Sequence, residues 1–160
     1  MLLLGAKVFR LCPVISLTAS LLWAYDEYAF FSAWMNPTYR AQADALLPAW
    51  FKAWAPKGTR VLFTSFPISP ATGIATTFTH QESLEASGAL KWYWLGVFFA
   101  FAHFFYGPTA LGLLKAIRDG EPNGQTTISM GKWLRMHRLR TSPQISLLSF
   151  ALLSQQPRRC

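Results

Sequence analysis

Acidic side chains are scarce in this chain: seven Asp and Glu stand against fifteen Lys and Arg in 160 residues, and charged residues of both signs make up only 14 %. A soluble domain carries about a quarter charged residues, so the deficit argues against an ordinary water-facing surface. Cysteine is nearly absent as well. Cys12 lies in an apolar segment and Cys160 at the last position, which excludes a disulfide framework and a cysteine metal site. No Gly-rich phosphate loop, HExxH, GxSxG or CxxC occurs, so nucleotide hydrolysis, zinc proteolysis, serine-esterase chemistry and thiol redox lack their motifs. The histidines His80, His103 and His137 are too scattered to make an iron or copper set. No metal and no cofactor is expected, which leaves acid–base chemistry. The net charge of +8 does not imply nucleic acid, because Lys and Arg flank apolar blocks instead of forming a stripe with stacking aromatics.

What is present in abundance is apolar and aromatic, 52 % and 16 % of residues, gathered in blocks. The pattern predicts a single all-α membrane domain over 1–160, a four-transmembrane-helix bundle with spans near 11–33, 61–78, 90–114 and 133–153. Leu2 to Ala24, with Lys7 and Arg10 ahead, has the outline of a signal peptide, but apolar character continues to Trp34 and more spans follow, so an uncleaved signal anchor is expected. Asn36-Pro37 ends the first helix, since proline disfavours helical geometry in the residue before it. Between spans 1 and 2, Leu46, Leu47, Trp50, Phe51 and Trp54 alternate with Arg40, Asp44, Lys52 and Lys57, the mixture of an amphipathic helix lying at the headgroup region. Span 2 contains Pro67 and Pro70 and a stripe of Ser65, Ser69, Thr72 and Thr76, read mainly as hydroxyls that mend freed backbone groups and otherwise as a polar cavity lining.

Gly107-Pro108 is expected to kink or end the tightly packed half of span 3. The apolar part of span 4, Ile145 to Leu153, is too short to cross alone, so that helix must begin in the basic segment Trp133-Leu134-Arg135-Met136-His137-Arg138, close to the interface. Ten of the fifteen basic residues lie in or beside the first and third loops, whereas Lys7, Arg10, Lys91, Arg158 and Arg159 lie on the other side. By the positive-inside tendency those two loops face the cytoplasm and both termini the lumen or exterior of a multi-pass protein, with the endoplasmic reticulum as the expected membrane.

Only two acids fall inside any proposed span. Asp26 and Glu27 interrupt Leu21 to Phe31, and an acid at membrane depth costs several kcal/mol unless it is paired, protonated or wetted. Glu27 shares a helical stripe with Ser16, Ser20, Trp23, Phe30 and Trp34, while Asp26 projects about 100° away, so the two do not form one paired dyad. Glu27 is therefore the first candidate for catalysis and Asp26 the second. The face Trp92, Gly96, Phe99, His103, Tyr106 places one imidazole at mid-depth among aromatics, and His103 is the third catalytic candidate. Trp23, Trp92, Phe99 and Tyr106 are read as substrate-binding, as are His137 and Arg140, which can anchor an anionic or enolate oxygen; the rival reading of His137, Arg138 and Arg140 is a basic interface cluster.

These features carry a resemblance. The acid-bearing first helix, Leu46-Leu47-Pro48-Ala49-Trp50-Phe51 ahead of a Pro-containing second helix, Lys91-Trp92-Tyr93-Trp94 leading to His103, and Trp133-Leu134-Arg135-Met136-His137-Arg138 together resemble small four-helix membrane proteins of fungal polyketide clusters, those of the citreoviridin and aurovertin type hydrolases above all. The outline is also similar to the anthrone-oxygenase-like membrane family. The resemblance, over roughly residues 21–153, implies opening, hydrolysis or cyclisation of an epoxide on a lipophilic polyketide. Glu27 or Asp26 would protonate the epoxide oxygen, and the other acid or His103 would deprotonate water or an internal hydroxyl. Two rivals stand beside it: a cofactor-free oxygenase of an anthrone-like phenol, and a non-catalytic scaffold or carrier of the endoplasmic reticulum. The expected partners are a lipophilic small molecule and membrane lipid, with no nucleic acid.

Isosteric substitution separates enzyme from scaffold. Glu27→Gln and Asp26→Asn variants of normal abundance are expected to lose product formation, Glu27→Gln more completely; unchanged product formation in both would favour the scaffold.

Overall fold

The computed structural model describes the backbone of residues 2–154 and the side chains of residues 11–142. The flanking residues Lys7, Arg10, Arg158 and Arg159, on which part of the expected topology rests, lie outside the described side chains, as do Cys160 and the apolar run of 145–153. The chain forms α1 (Leu2–Ala33), a 3-10 turn (Pro37–Tyr39), α2 (Arg40–Ser65), α3 (Ile68–Thr79), α4 (Gln81–Ala86), α5 (Leu90–Phe104), α6 (Gly107–Asp119) and α7 (Thr126–Ser154). No strand occurs among the described residues. Four rods result: α1, α2 with α3, α5 with α6, and α7. At one end α1, α3, α5 and α7 pack in a ring, and at the other α7 meets α2 and α6.

Pro67 and Pro108 sit at the two breaks, whereas Pro13, Pro48 and Pro56 lie inside continuous helices. Pro67 lacks an N–H and its ring collides with the Phe63 carbonyl, so α2 stops at Ser65 and α3 begins beyond the proline. The expected second span, 61–78, is thus the last turn of α2 plus α3. Pro108, early in α6, acts the same way on the Phe104 carbonyl, and the expected third span is a pair of helices, α5 and α6, bent by 42°. That bend is where Gly107-Pro108 was expected to place it. The first helix also ends as expected: Asn36 Oδ1 accepts from the Thr38 N–H at 3.0 Å, and Pro37 opens the 3-10 turn.

Two segments take their packing from distant parts of the chain. The segment read as lying on the membrane surface is the first part of α2, and its face of Ala43, Leu47, Phe51 and Gly58 is buried. Leu47 and Phe51 join Phe31, Ile117, Met130 and Trp133 in the core, while Lys52 and Lys57 face outward. The fourth helix begins at Thr126, seven residues before the expected start at 133. Its first turn is capped from a distance: Asp44 Oδ1 accepts the Thr127 N–H at 2.6 Å, and the Arg40 Nε–H donates to Thr127 Oγ1 at 3.1 Å. Of the hydroxyl stripe, Ser65 and Thr72 donate back to the i−4 carbonyls of Val61 and Ile68 at 2.6 and 2.7 Å, neither of which is a carbonyl freed by Pro67 or Pro70.

Among the described residues no single helix is long and apolar enough to cross a membrane; α5 and α6 pass that test together as a bent pair. Large apolar side chains nevertheless face outward, Ile15, Leu22, Phe63, Phe98, Phe101 and Phe105 among them.

Gly73 lets α3 approach α5, because a Cβ there would stand 2.8 Å from Val97 Cγ2, and valine has little rotamer freedom to retreat. Gly73→Ala is expected to lower stability by about 1–3 kcal/mol, and Val97→Ala in the same chain to restore most of the loss, measured by thermal unfolding.

Candidate functional site

The two proline breaks open onto one interior space. A cavity of about 110 Å³ is walled by Phe66 and Pro67 at the first break, by Phe104, Gly107 and Ala110 at the second, and by Phe51, Trp54 and Trp133 between them. Four polar side chains line it: Glu27 from α1, Thr59 from α2, His103 from the last turn of α5, and Arg140 from α7. The rest of its lining is almost wholly apolar.

Arg140 is the most constrained of the three. It is 9 % exposed, and its Nη2 donates to His137 Nδ1 at 2.8 Å. On the other edge of the ring, His137 Nε2 lies 2.8 Å from the Ala24 carbonyl of α1. A carbonyl only accepts and a guanidinium only donates, so this pattern assigns His137 the neutral form with its proton on Nε2. His137 therefore has no nitrogen left for substrate and serves to hold Arg140. The imidazole stacks on Trp133 at 4.6 Å between centroids, and the guanidinium lies over the same indole at 5.7 Å. Trp133 is in turn fixed edge-on by Phe31 at 5.0 Å. A chain of contacts thus runs from α1 to the cation. Arg140 Nε remains buried without a hydrogen-bond partner.

Glu27 and Arg140 line the same cavity, yet no ion pair within 4.0 Å joins them; among the described residues such pairs are those of Asp119 with Lys115 and Arg118. Their fields meet across open space, where an oxygen-bearing group can enter. Trp23, one turn before Glu27, stands near enough for its indole N–H to feel the carboxylate without closing a hydrogen bond. His103 is buried, with its ring 4.8 Å from that of Phe66.

The structure therefore brings Glu27, His103 and Arg140 to one cavity and puts His137 behind Arg140. Asp26 is exposed and lies with Trp23 and Glu27 in an outer groove on α1. Trp92, Phe99 and Tyr106 line neither space. The cavity sits at the α5–α6 break, so only the last turn of α5 reaches it; Trp92 is about 16 Å further along the helix axis, and Tyr106, 38 % exposed, lies in the break itself. Of the residues read alternatively as a basic interface cluster, Arg138 is exposed, whereas His137 and Arg140 are buried. Sequence reasoning did not single out Trp54, Phe66 or Trp133 for the site. For Trp133 a signal was available, since it shares a helical face with His137 and Arg140. Among the described residues no three His, Cys, Asp or Glu side chains converge as metal ligands.

Fold and site together define a small helical protein in which an acid, a cation and an imidazole face an apolar cavity. Comparison with known proteins gives this class its family. The chain is 42 % identical over 134 residues to the probable epoxidase scpX of Mollisia scopiformis, covering 84 % of both chains. It is 39 % identical over 137 residues to the epoxidase pydX of an Acremonium species, covering 86 % of this chain and 85 % of the other, and 34 % identical over 134 residues to the epoxidase gkaX of Penicillium citrinum, covering 84 % and 83 %. The chain belongs to the family of these fungal epoxidases, a family of enzymes. No family model and no solved structure matches it.

The bridging role of His137 has a measurable consequence. His137→Leu strands the guanidinium and the Ala24 carbonyl and is expected to cost about 2–3 kcal/mol, whereas His137→Gln, which keeps a donor and an acceptor, should cost less than half of that. Chemical unfolding of the two variants checks the order.

Proposed function

We propose that this chain is an epoxidase of fungal secondary metabolism, membrane-embedded in the endoplasmic reticulum, acting on an alkene of a lipophilic polyketide-type substrate. Its support is the convergence of Glu27, His103 and Arg140 on one apolar cavity in a chain whose relatives are epoxidases. The membrane placement is supported by the outward-facing apolar side chains and by the bent pair α5 and α6.

The reaction converts an alkene, dioxygen, two protons and two electrons into an epoxide and water. One oxygen atom bonds to both alkene carbons and the other leaves as water. The two electrons come from an external donor such as a reduced flavin or nicotinamide. The chain contributes position and charge. The apolar walls orient the alkene and exclude bulk water. Arg140, pre-oriented by His137 and Trp133, offers its positive charge to negative charge developing on oxygen. Glu27 is placed to pass a proton to the oxygen that leaves as water, with His103 as the second proton carrier.

A second reading is favoured by the same pairing of an acid with an imidazole: opening of an epoxide. Glu27 protonates the oxirane oxygen, a C–O bond breaks, and His103 takes the proton from water or an internal hydroxyl as the new C–O bond forms. An oxygenase of an anthrone-like phenol is the third outcome to be distinguished.

Isotope-labelled oxygen decides among them. Membranes containing the protein are given a lipophilic polyene, its monoepoxide and an anthrone in turn. Epoxide carrying label from dioxygen is expected. Label from water in a diol, or a cyclic ether of unchanged mass, would favour opening, and a labelled quinone the phenol oxygenase. Glu27→Gln and Arg140→Lys should each lower turnover by about 100-fold or more with folding intact.

A further inference from the structure

Glu27 and Trp54 belong to two spaces. Besides the inner cavity they line the outer groove of about 530 Å³ that runs along α1 past Trp23, Asp26, Phe30 and Ala33. Small-molecule sites usually enclose about 300–1,000 Å³, a range that the groove meets and the cavity of about 110 Å³ does not. The cavity is therefore too small for a whole lipophilic substrate, while the groove lacks Arg140 and His103. Neither space suffices alone.

What separates them is the indole of Trp54. It is stacked on Trp50 at 5.9 Å and held edge-on by Phe31 at 4.8 Å. Its ring folds back over Gly58, one turn on, where a Cβ would stand 2.5 Å from Trp54 Cη2 and 2.8 Å from Cζ2. Only glycine at 58 allows this ring position, and the ring is a wall that the two spaces share beside Glu27. A wall made by a glycine and a clamped tryptophan is a size filter.

We propose that the outer groove on α1 binds the body of an elongated lipophilic substrate, and that Trp54, seated over Gly58, admits only an unbranched reacting end into the inner cavity between Glu27 and Arg140. The inference rests on the proposed function for what reacts and extends it to which substrates fit. Asp26 then faces the substrate body, away from the reacting atoms, and Trp54 and Gly58 are specificity-determining residues.

Photolabelling tests this without turnover. Membranes containing the full chain are treated with a long-chain terminal alkene bearing a diazirine at mid-chain, with one bearing it beside the alkene, and with a third whose alkene end is branched. Peptide mass spectrometry should place the mid-chain label within residues 23–34, and the alkene-end label within 62–67 or 103–114. The branched probe should label the groove and spare the inner segments. In Trp54→Ala, inner labelling by the branched probe should rise roughly ten-fold, the scale on which a pocket discriminates by size. Trp54→Phe should show a smaller rise and guards against a folding defect. Gly58→Ala should change inner labelling by the unbranched probe while leaving the groove label in place. Absence of label from residues 23–34, or equal inner labelling by the branched probe in wild type and both Trp54 variants, overturns the proposal. Correct labelling with no epoxide formed or opened would instead overturn the proposed function and leave the binding mode standing.

Discussion

Everything in the site depends on burying one guanidinium. Removing a cation from water costs several kcal/mol unless its donors and charge find partners. Arg140 meets that cost in part, through the His137 hydrogen bond and the face of Trp133. His137 can accept only because its other nitrogen is committed to the Ala24 carbonyl. The cation is thus held by a relay that begins in the backbone of α1 and ends at a cavity on α7. What the relay leaves uncompensated, a charge on the lining of the cavity that Glu27 also lines, is what an oxygen-containing ligand can complete.

The cavity exists because two helices fail at corresponding places. Had α2 continued through residue 67, or α5 through residue 108, side chains of an unbroken turn would fill the centre of the bundle. Proline prevents both, and the resulting gaps are lined by Phe66, Pro67, Phe104 and Gly107. The breaks that divide these helices are the same ones that make room for the cavity.

The parts of this arrangement legible in the sequence were those encoded locally. Asn36-Pro37, Gly107-Pro108 and the 100° offset between Asp26 and Glu27 act over a few residues, and α1, the α5–α6 bend and the separation of the two acids follow them. The parts that were not legible depend on partners far along the chain. An amphipathic segment with Trp and Lys looks alike whether its apolar face meets lipid or protein, and only α6 and α7 decide that Leu47 and Phe51 are core. The start of α7 at Thr126 rests on Asp44, more than eighty residues earlier. Arg140 is set apart from Arg135 and Arg138 by helical phase and by what lies opposite each face, of which the sequence shows only the phase. Trp54 became visible as a wall only through its fold over Gly58.

The distant cap on α7 also bears on how the protein comes into being. Asp44 and Arg40 hold the first turn of α7, Phe31 fixes Trp133, and Ala24 binds His137, so α7 takes its partners from helices synthesised long before it. Until α7 emerges, Glu27 and His103 face a half-open bundle with no cation opposite them. The candidate site is therefore complete only with α7 docked, because Arg140, Trp133 and His137 all come from that one helix.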